Sequence, residues 1–420
     1  MEDKYITRIA EKTVKKLSEV FPVVMITGPR QVGKTTLLQI GNETQKINYV
    51  SLDSLKERIL AQDDPELFLS MYETPLIIDE FQYAPDLLSY IKINVDKKRL
   101  ENLKENKESP TGMYYLTGSQ VFHAMKNVSE SLAGRVGIID LYGLSTRELN
   151  KLDQDIFLPE IETLKTKKKC KRYTPIELYE RILKGSYPEI YRQKENVVEQ
   201  YYETYIRTYI ERDIRELINV KDENKFIKFV MNIAARTGQE LNITDVANSL
   251  EITNNTADNW LSILKNTGLV FLLQPYSNNN VNRIIKKPKV YFMDTGLACY
   301  LTGYTDAAIL EKSAYSGPIF ETYVITEIIK SFSNNGIDSR KHLFYYRDSN
   351  GKEIDLLIIY NNIIYPIEIK KSMNPKESTI KNFNVIEKFG IDIGNGGVIC
   401  LTSELFPIDQ KNYMIPLELI

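Results

Sequence analysis

The chain is poor in the side chains that most readily betray a function. Of its 420 residues, 3 are cysteine, 2 are histidine and 1 is tryptophan. Cys170, Cys299 and Cys400 are odd in number and far apart, which argues against a disulfide framework and against a structural zinc site. With only His123 and His342 as imidazoles, any metal is expected to be a hard ion held by carboxylates. No apolar run approaches the ~18 residues that span a bilayer. The opening Met1-Glu2-Asp3-Lys4 shows no signal-peptide pattern. These absences predict a cytoplasmic protein with no membrane partner. Charge is nearly balanced, 54 basic against 56 acidic residues, so contact with nucleic acid would have to come from local patches. The chain is too long for one core, and two to four domains are expected.

What is present begins at residue 28. Gly28-Pro29-Arg30-Gln31-Val32-Gly33-Lys34-Thr35-Thr36 carries the spacing G-x-x-x-x-G-K-[ST]. An apolar run, Val23 to Thr27, precedes it, and a helix-compatible stretch begins at Thr35. Glycines let the backbone turn so that successive amides face a phosphate. A helix start adds its positive dipole end. Lys34 is placed to reach the β- and γ-phosphates, and the Thr35 hydroxyl to ligate Mg²⁺.

Apolar runs at 23–27, 48–52, 75–79, 113–118 and 136–141 alternate with helical stretches, the pattern of a parallel sheet covered by helices. The third run ends Ile77-Ile78-Asp79-Glu80. Asp79 there can hold Mg²⁺ through water, and Glu80 can orient and deprotonate an attacking water. The fourth ends Leu116-Thr117-Gly118-Ser119-Gln120, which makes Thr117 and Ser119 candidates to hydrogen-bond a γ-phosphate or the lytic water. Arg135 can stabilise charge on a transferring phosphoryl group, in its own chain or a neighbour's, or simply pair with a carboxylate. Arg30 reads as pointing outward from the loop.

With these motifs the chain resembles the AAA-type P-loop ATPases. Gly28–Thr35 stands as the Walker A, Leu76–Glu80 as the Walker B and Leu116–Ser119 as the sensor strand. More narrowly it is similar to a bacterial and archaeal group that shares Gly-Pro-Arg-Gln-Val-Gly-Lys-Thr-Thr, Ile-Asp-Glu and Leu-Thr-Gly-Ser. That group also shares Leu-Ala-Gly-Arg, here Leu132 to Arg135.

The middle reads differently. Residues 101–110 are a polar insertion expected to form a loop. The basic run 165–172 reads as a solvated loop, with a phosphate-backbone contact as the alternative. Helices from Pro175 to about Leu217, broken by Gly185-Ser186-Tyr187-Pro188, would serve as a lid. Within them Arg207, Arg212 and Arg215 cluster, and Arg212-Asp213 resembles the Tyr-x-Glu-Arg-Asp pattern of the same family. From 223 to 295 the pattern is that of a winged helix, with helices at 226–236, at 244–250 with Thr244 as N-cap, and at 256–266. Strands at 270–276 and 290–293 follow. The intervening wing carries Arg283, Lys286, Lys287 and Lys289. The third helix offers Thr256, Asp258, Asn259, Ser262 and Lys265, a weak footprint for DNA. DNA binding and protein contact are therefore both open. Trp260 falls at core spacing.

The tail holds a second constellation. A helix opens at Phe320-Glu321, and strands follow at 341–346, 353–360 and 363–370, joined by hairpin signals at 348–351 and 361–362. Glu368 and Lys370 share one face of their strand. This order resembles the PD-(D/E)xK nuclease fold of restriction endonucleases, with Glu321, Asp355 and Glu368-Ile369-Lys370 in its pattern. The resemblance implies Mg²⁺ on Glu321, Asp355 and Glu368, with Lys370 orienting water. Ile354 replaces the motif's proline, and Pro366 suggests an edge strand or a bulge.

The fold expected is therefore α/β. An AAA-type P-loop NTPase sheet (1–150) precedes a helical lid (151–222), a winged helix (223–295) and a restriction-endonuclease-like domain (296–420). The function expected is an ATPase, with ATP and Mg²⁺ as cofactors, that couples nucleotide state to the winged helix and the nuclease-like tail, with action on DNA left open. An ATP-gated DNA endonuclease and a slow nucleotide switch for a protein partner are the alternatives. AAA relatives often form rings, so an oligomer is open.

Overall fold

A computed structural model of the chain describes residues 5–41, 47–118, 131–193, 197–208, 223–277 and 287–420. Ser119, Arg212, Asp213, Arg215, Arg283 and Lys286 lie outside the described residues. The chain divides into two compact units. One is residues 1–144 with 266–268 and 333–337; the other is the remainder.

The first unit is built on five parallel strands: β1 (Val23–Thr27), β2 (Asn48–Ser51), β3 (Leu76–Asp79), β4 (Tyr114–Thr117) and β5 (Val136–Asp140). Their spatial order is β2-β3-β4-β1-β5. β1, β3 and β4 are buried along their whole length, as central strands covered on both faces must be. Helices α1 (Ala10–Ser18), α2 (Lys34–Ile40), α3 (Leu55–Asp63), α4 (Pro65–Ser70) and α5 (Leu87–Lys104) belong to the same unit. One continuous core gathers Met25, Ile78 and Leu116 from the sheet with Phe68 of α4 and Leu88, Ile91 and Val95 of α5. α5 runs through 101–104, so the polar insertion starts as the last helical turn and becomes a loop only beyond it.

The strand order has a consequence for chemistry. β4 lies between β1 and β3, and Thr117 is in register with Ile26 on one side and Asp79 on the other. The residue leaving β4 is thereby set between the loop after β1 and the carboxylate ending β3.

In the second unit, the principal helices are α6 (Pro175–Lys184), α7 (Glu223–Ala235), α8 (Ile243–Ser249), α9 (Asn254–Asn266), α10 (Thr295–Leu301) and α11 (Ser316–Asn334). α7 to α9 accompany a small antiparallel sheet, β6 (Gln239–Glu240), β7 (Val270–Leu273) and β8 (Lys289–Phe292), in the order β6-β8-β7. Trp260 packs edge-on against Phe226 and Phe229, centroids 5.3 and 5.4 Å away. α8 starts at Ile243, so Thr244 is inside the helix and not its cap, and the preceding Asn242 makes no side-chain cap bond.

The tail sheet holds β9 (Leu343–Arg347), β10 (Glu353–Tyr360), β11 (Ile363–Ile369), β12 (Asp392–Ile393), β13 (Gly396–Cys400), β14 (Phe406–Pro407) and β15 (Asn412–Pro416), ordered β14-β15-β13-β11-β10-β9, with β12 also on β11. The turn joining β10 and β11 puts Asn361 and Asn362 at φ 50° and 60°, the left-handed pair that a two-residue hairpin needs. β11 is central, contrary to the edge or bulge expected from Pro366. The Pro366 carbonyl lies against Gly396, so its nitrogen faces the same side. There the register skips from β12 at 363–364 to β13 at 367–369, and the missing N–H falls in the gap. The bulge is instead in β10. Asp355 and Leu356 together oppose Tyr345, because Ile354 pairs with Tyr346 and Leu357 with Phe344.

The basic run 165–172 is not a free loop. Cys170 N–H donates to the Glu418 carbonyl (2.8 Å), Lys169 pairs with Glu404 (2.7 Å) and Lys171 with Glu177 (3.4 Å). The Gly185–Pro188 break between helices is held by buried Asp294. Its carboxylate accepts from Ser186 N (2.6 Å), Ser186 Oγ (2.8 Å), Tyr202 Oη (2.7 Å) and Leu297 N (2.7 Å), the last capping α10. Among the described residues, no helix is long and apolar enough to cross a membrane.

Replacing Asp294 by alanine strands a buried amide and removes a cap, a local loss of about 2–4 kcal/mol. Native-state hydrogen exchange should show the Ser186 and Leu297 amides opening first. Unchanged protection at both would refute the role given to this carboxylate.

Candidate functional site

The loop after β1 owes its shape to three left-handed residues. Gly28, Gln31 and Gly33 have φ of 135°, 65° and 89°. A Cβ on Gly28 would run into the Leu141 carbonyl, so only glycine passes there. Gly33 precedes α2 without any side-chain cap, which leaves the first-turn amides to a ligand. Pro29 and Val32 are buried, Arg30 and Thr35 half-buried, and Gln31 and Thr36 exposed.

Lys34 is buried, and its ammonium donates to the Gly28 and Pro29 carbonyls at 3.0 and 2.8 Å. Burial pushes its pKa down to about 8, against the opposing pull of Glu80 and Asp79. Asp79 Oδ1 accepts from Thr35 Oγ1 at 3.0 Å and from Thr117 Oγ1, while Oδ2 accepts from Tyr49 Oη at 3.1 Å. Three hydroxyls from three elements thus converge on one carboxylate. Tyr49, on β2, went unseen in the sequence, where nothing distinguishes it from other strand tyrosines. Its pKa is raised by burial and by Asp79.

Glu80 sits just past the sheet edge at φ 54°, a costly conformation for a branched-off acidic residue and one found where geometry is over-determined. Gln82 Nε2 donates to Glu80 Oε2, while Gln82 Oε1 is buried without a protein partner among the described residues. A buried acceptor of this kind calls for a water or a ligand donor.

Arg8 also escaped sequence reasoning. It is buried, and its Nη1 and Nη2 donate to the Val32 and Tyr142 carbonyls, both at 2.8 Å. It props the phosphate loop from behind, and no local motif announces it.

Arg135 is placed otherwise than a catalytic role in its own chain requires. It precedes β5, whose far end, Asp140, is in register with Thr27. Five residues of strand put it roughly 16 Å from the loop edge. Asp96 holds its guanidinium in a forked pair at 2.8 and 2.9 Å.

The tail residues are brought together, but onto lysines. Glu321 Oε1 accepts from Tyr291 Oη at 2.6 Å and from Lys289 Nζ at 3.2 Å. Asp355 Oδ2 accepts from Ile369 N (2.9 Å) and Lys370 Nζ (2.8 Å), and Lys370 also meets Glu368 Oε2 at 2.7 Å. Burial, then the neighbouring Asp355, raises the Glu368 pKa to about 8. Burial and Asp355 likewise raise that of Glu321. Among the described residues no group of three or more acidic, His or Cys side chains is disposed to hold a metal ion. Glu321, Asp355 and Glu368, expected as a Mg²⁺ set, each accept a hydrogen bond from a lysine ammonium here. Lys289, expected in a wing, is instead on β8 among these acids.

Residues 20–150 match the family model described as an AAA domain. Residues 176–308 and 316–420 match two domains of unknown function, DUF8612 and DUF4143. An uncharacterized protein of Mycobacterium tuberculosis is 26% identical over 402 residues, 95% of this chain and 81% of that one. An uncharacterized protein of Methanocaldococcus jannaschii is 24% identical over 69% of this chain and 62% of that one. Among solved structures, a Walker-type ATPase of Pyrococcus abyssi covers 70% of this chain and 94% of its own at 15% identity and TM-score 0.42. The Thermotoga maritima RuvB Holliday junction branch migration motor covers 63% and 88% at 19% identity and TM-score 0.30. Residues 20–150 are thus similar to AAA domains, and the parallel five-stranded sheet with the loop 28–36 is an α/β P-loop fold.

In the native protein Lys34 releases its proton near pH 8, whereas the unfolded chain holds it to about 10.5. Between those values the unfolded state binds more protons, so native stability rises with pH. Lysine-selective NMR of ligand-free protein should find one amine titrating near pH 8 that is absent in Lys34→Met. An ordinary titration for Lys34 would refute the burial.

Proposed function

We propose that this chain binds ATP at the loop 28–36 and hydrolyses it with Mg²⁺, using the energy state to set the arrangement of its remaining domains. The observation that carries this reading is the convergence of Thr35, Thr117 and Tyr49 on Asp79, beside a buried lysine ammonium that now rests on loop carbonyls. The donor set fits a hard cation, since it consists of hydroxyl and carboxylate oxygens.

In this reading the amides of Gly28 to Thr36 cradle the phosphates, and Lys34 turns from the carbonyls to the β- and γ-oxygens. Thr35 and Asp79 hold Mg²⁺, which when bound neutralises charge on the phosphate oxygens. Thr117 bonds the terminal phosphate or water. Glu80, pinned by Gln82, orients the attacking water and takes its proton. Arg135 has no part in its own chain's site, and any contribution to phosphoryl transfer would be to a neighbouring copy.

The other domains are proposed as a helical lid (151–222), a winged helix (223–295) and a nuclease-like tail (296–420). ATP would favour one arrangement of these and its hydrolysis another. The exposed face of α9 offers Asp258, Asn259, Ser262 and Lys265, one cation against one anion. That balance favours a switch read by a protein partner at least as well as one read by DNA.

Turnover and calorimetry of wild type, Lys34→Ala and Glu80→Gln test the proposal. Lys34→Ala should lose binding and turnover. Glu80→Gln should keep ATP affinity within a few-fold while turnover falls by about 10²–10⁴. Folded, nucleotide-free wild type that gives no heat with ATP or ADP plus magnesium would end it.

A further inference from the structure

Four carboxylates and two ammonium groups meet where the small sheet of α7–α9 joins the tail. Lys289 projects from β8 with only 5% of its side chain exposed, and its Nζ lies 3.2 Å from Glu321 and 2.6 Å from Glu353. Lys370 leaves the end of β11 and bridges Asp355 at 2.8 Å and Glu368 at 2.7 Å. Tyr291, two residues along β8, donates to the same Glu321 oxygen as Lys289. The β10 bulge sets Asp355 in this cluster by leaving it with Leu356 opposite a single residue.

The surroundings make Lys289 a fixture. Tyr345, opposite the bulge, pairs its backbone with Gln274 and Tyr276, 3.0 and 2.7 Å, and its hydroxyl accompanies Glu240 at 3.2 Å. The ring of Tyr345 lies 5.6 Å from the Lys289 ammonium, within cation–π range. Thr237 Oγ1 accepts from Phe292 N of β8 at 3.1 Å and meets Thr322 Oγ1 of α11 at 2.9 Å. β8 is therefore tied to α11 through Thr237, and its lysine side chain is buried beside the acids.

We propose that the Lys289 ammonium, with Lys370 beside it, is the resident cation of the carboxylate cluster Glu321–Glu353–Asp355–Glu368 and stands in for a divalent metal there. The chemistry is straightforward. An ammonium bears three donors and one charge on a compact head. Buried acids stripped of water need either a metal or such a partner. A protein that supplies the partner covalently, from its own strand, needs no metal there. The tail in this arrangement is then closed to Mg²⁺ and Mn²⁺ and performs no metal-dependent phosphodiester cleavage. This inference is independent of ATP binding by the first unit.

Mn²⁺ binding to the full nucleotide-free chain, followed by electron paramagnetic resonance, tests it. Wild type should show no site that Asp355→Asn removes. Lys289→Met should gain one site per chain with affinity at least tenfold above wild type, and adding Glu321→Gln should abolish the gain. Should Lys289→Met lose its native circular dichroism, Lys289→Gln takes its place, and the wild-type comparison still decides. A wild-type Mn²⁺ site lost in Asp355→Asn would overturn the proposal. So would a folded Lys289 variant that gains nothing, or plasmid cleavage by wild type that Lys370→Ala removes.

Discussion

One carboxylate organises the first unit's chemistry. Asp79 ends a buried strand, and its two oxygens take hydroxyls from the phosphate loop, from β4 and from β2. That is possible only because β4 is inserted between β1 and β3, which aligns Thr117 with Asp79 and Ile26 at a common edge. A strand placed between β3 and β4, or between β4 and β1, would separate these groups by a strand's width, about 4.8 Å. Sheet topology, set by apolar burial far from the site, thereby decides which polar atoms can share one cation.

The second unit resolves the same problem in the opposite way. Its acids range from buried Asp355 and Glu368 to partly exposed Glu353, and a lysine on β8 and one just past β11 compensate them. Breaking such a pair leaves an uncompensated buried charge, typically worth about 3–5 kcal/mol. The cluster therefore helps hold β8 to the tail sheet, and a constellation shaped like a catalytic centre acts as a fastening. This is the general reason that a residue pattern specifies chemistry only together with its neighbours' charges.

Legibility followed burial and locality. The five strand runs could be read from the sequence because buried parallel strands are continuous apolar stretches. The loop 28–36 could be read because its glycines, lysine and threonine are contiguous. The Asn361-Asn362 hairpin was equally local. What stayed hidden depends on distant partners. Arg8 contacts residues 24 and 134 positions away, and Lys289 meets an acid 32 positions on. The Asp355 bulge arises from pairing with β9, and Pro366 is tolerated at a gap between two partner strands, neither of which local pattern reports. For Arg135 both readings stayed open for the same reason, since its motif is legible but its partner Asp96, 39 positions away, is not.

The contrast between the two sites also bears on why the proposed ATP reading includes a divalent cation. Lys34 carries one positive charge, itself disfavoured by burial, against Asp79 and Glu80. A triphosphate entering that pocket adds several negative charges within a few ångströms of both acids. At an effective dielectric near 20, each like-charge pair at 4 Å costs about 4 kcal/mol. Lys34 offsets one such interaction and no more. The loop amides and the Thr35 and Thr117 hydroxyls contribute dipoles, which orient phosphate but do not cancel net charge. A divalent cation would remove two charges of that deficit, and Thr35 and Asp79 are the residues that would hold it. In the tail two ammonium groups face four carboxylates, but burial and Asp355 raise the pKa of Glu321 and Glu368, so less charge is left to offset there.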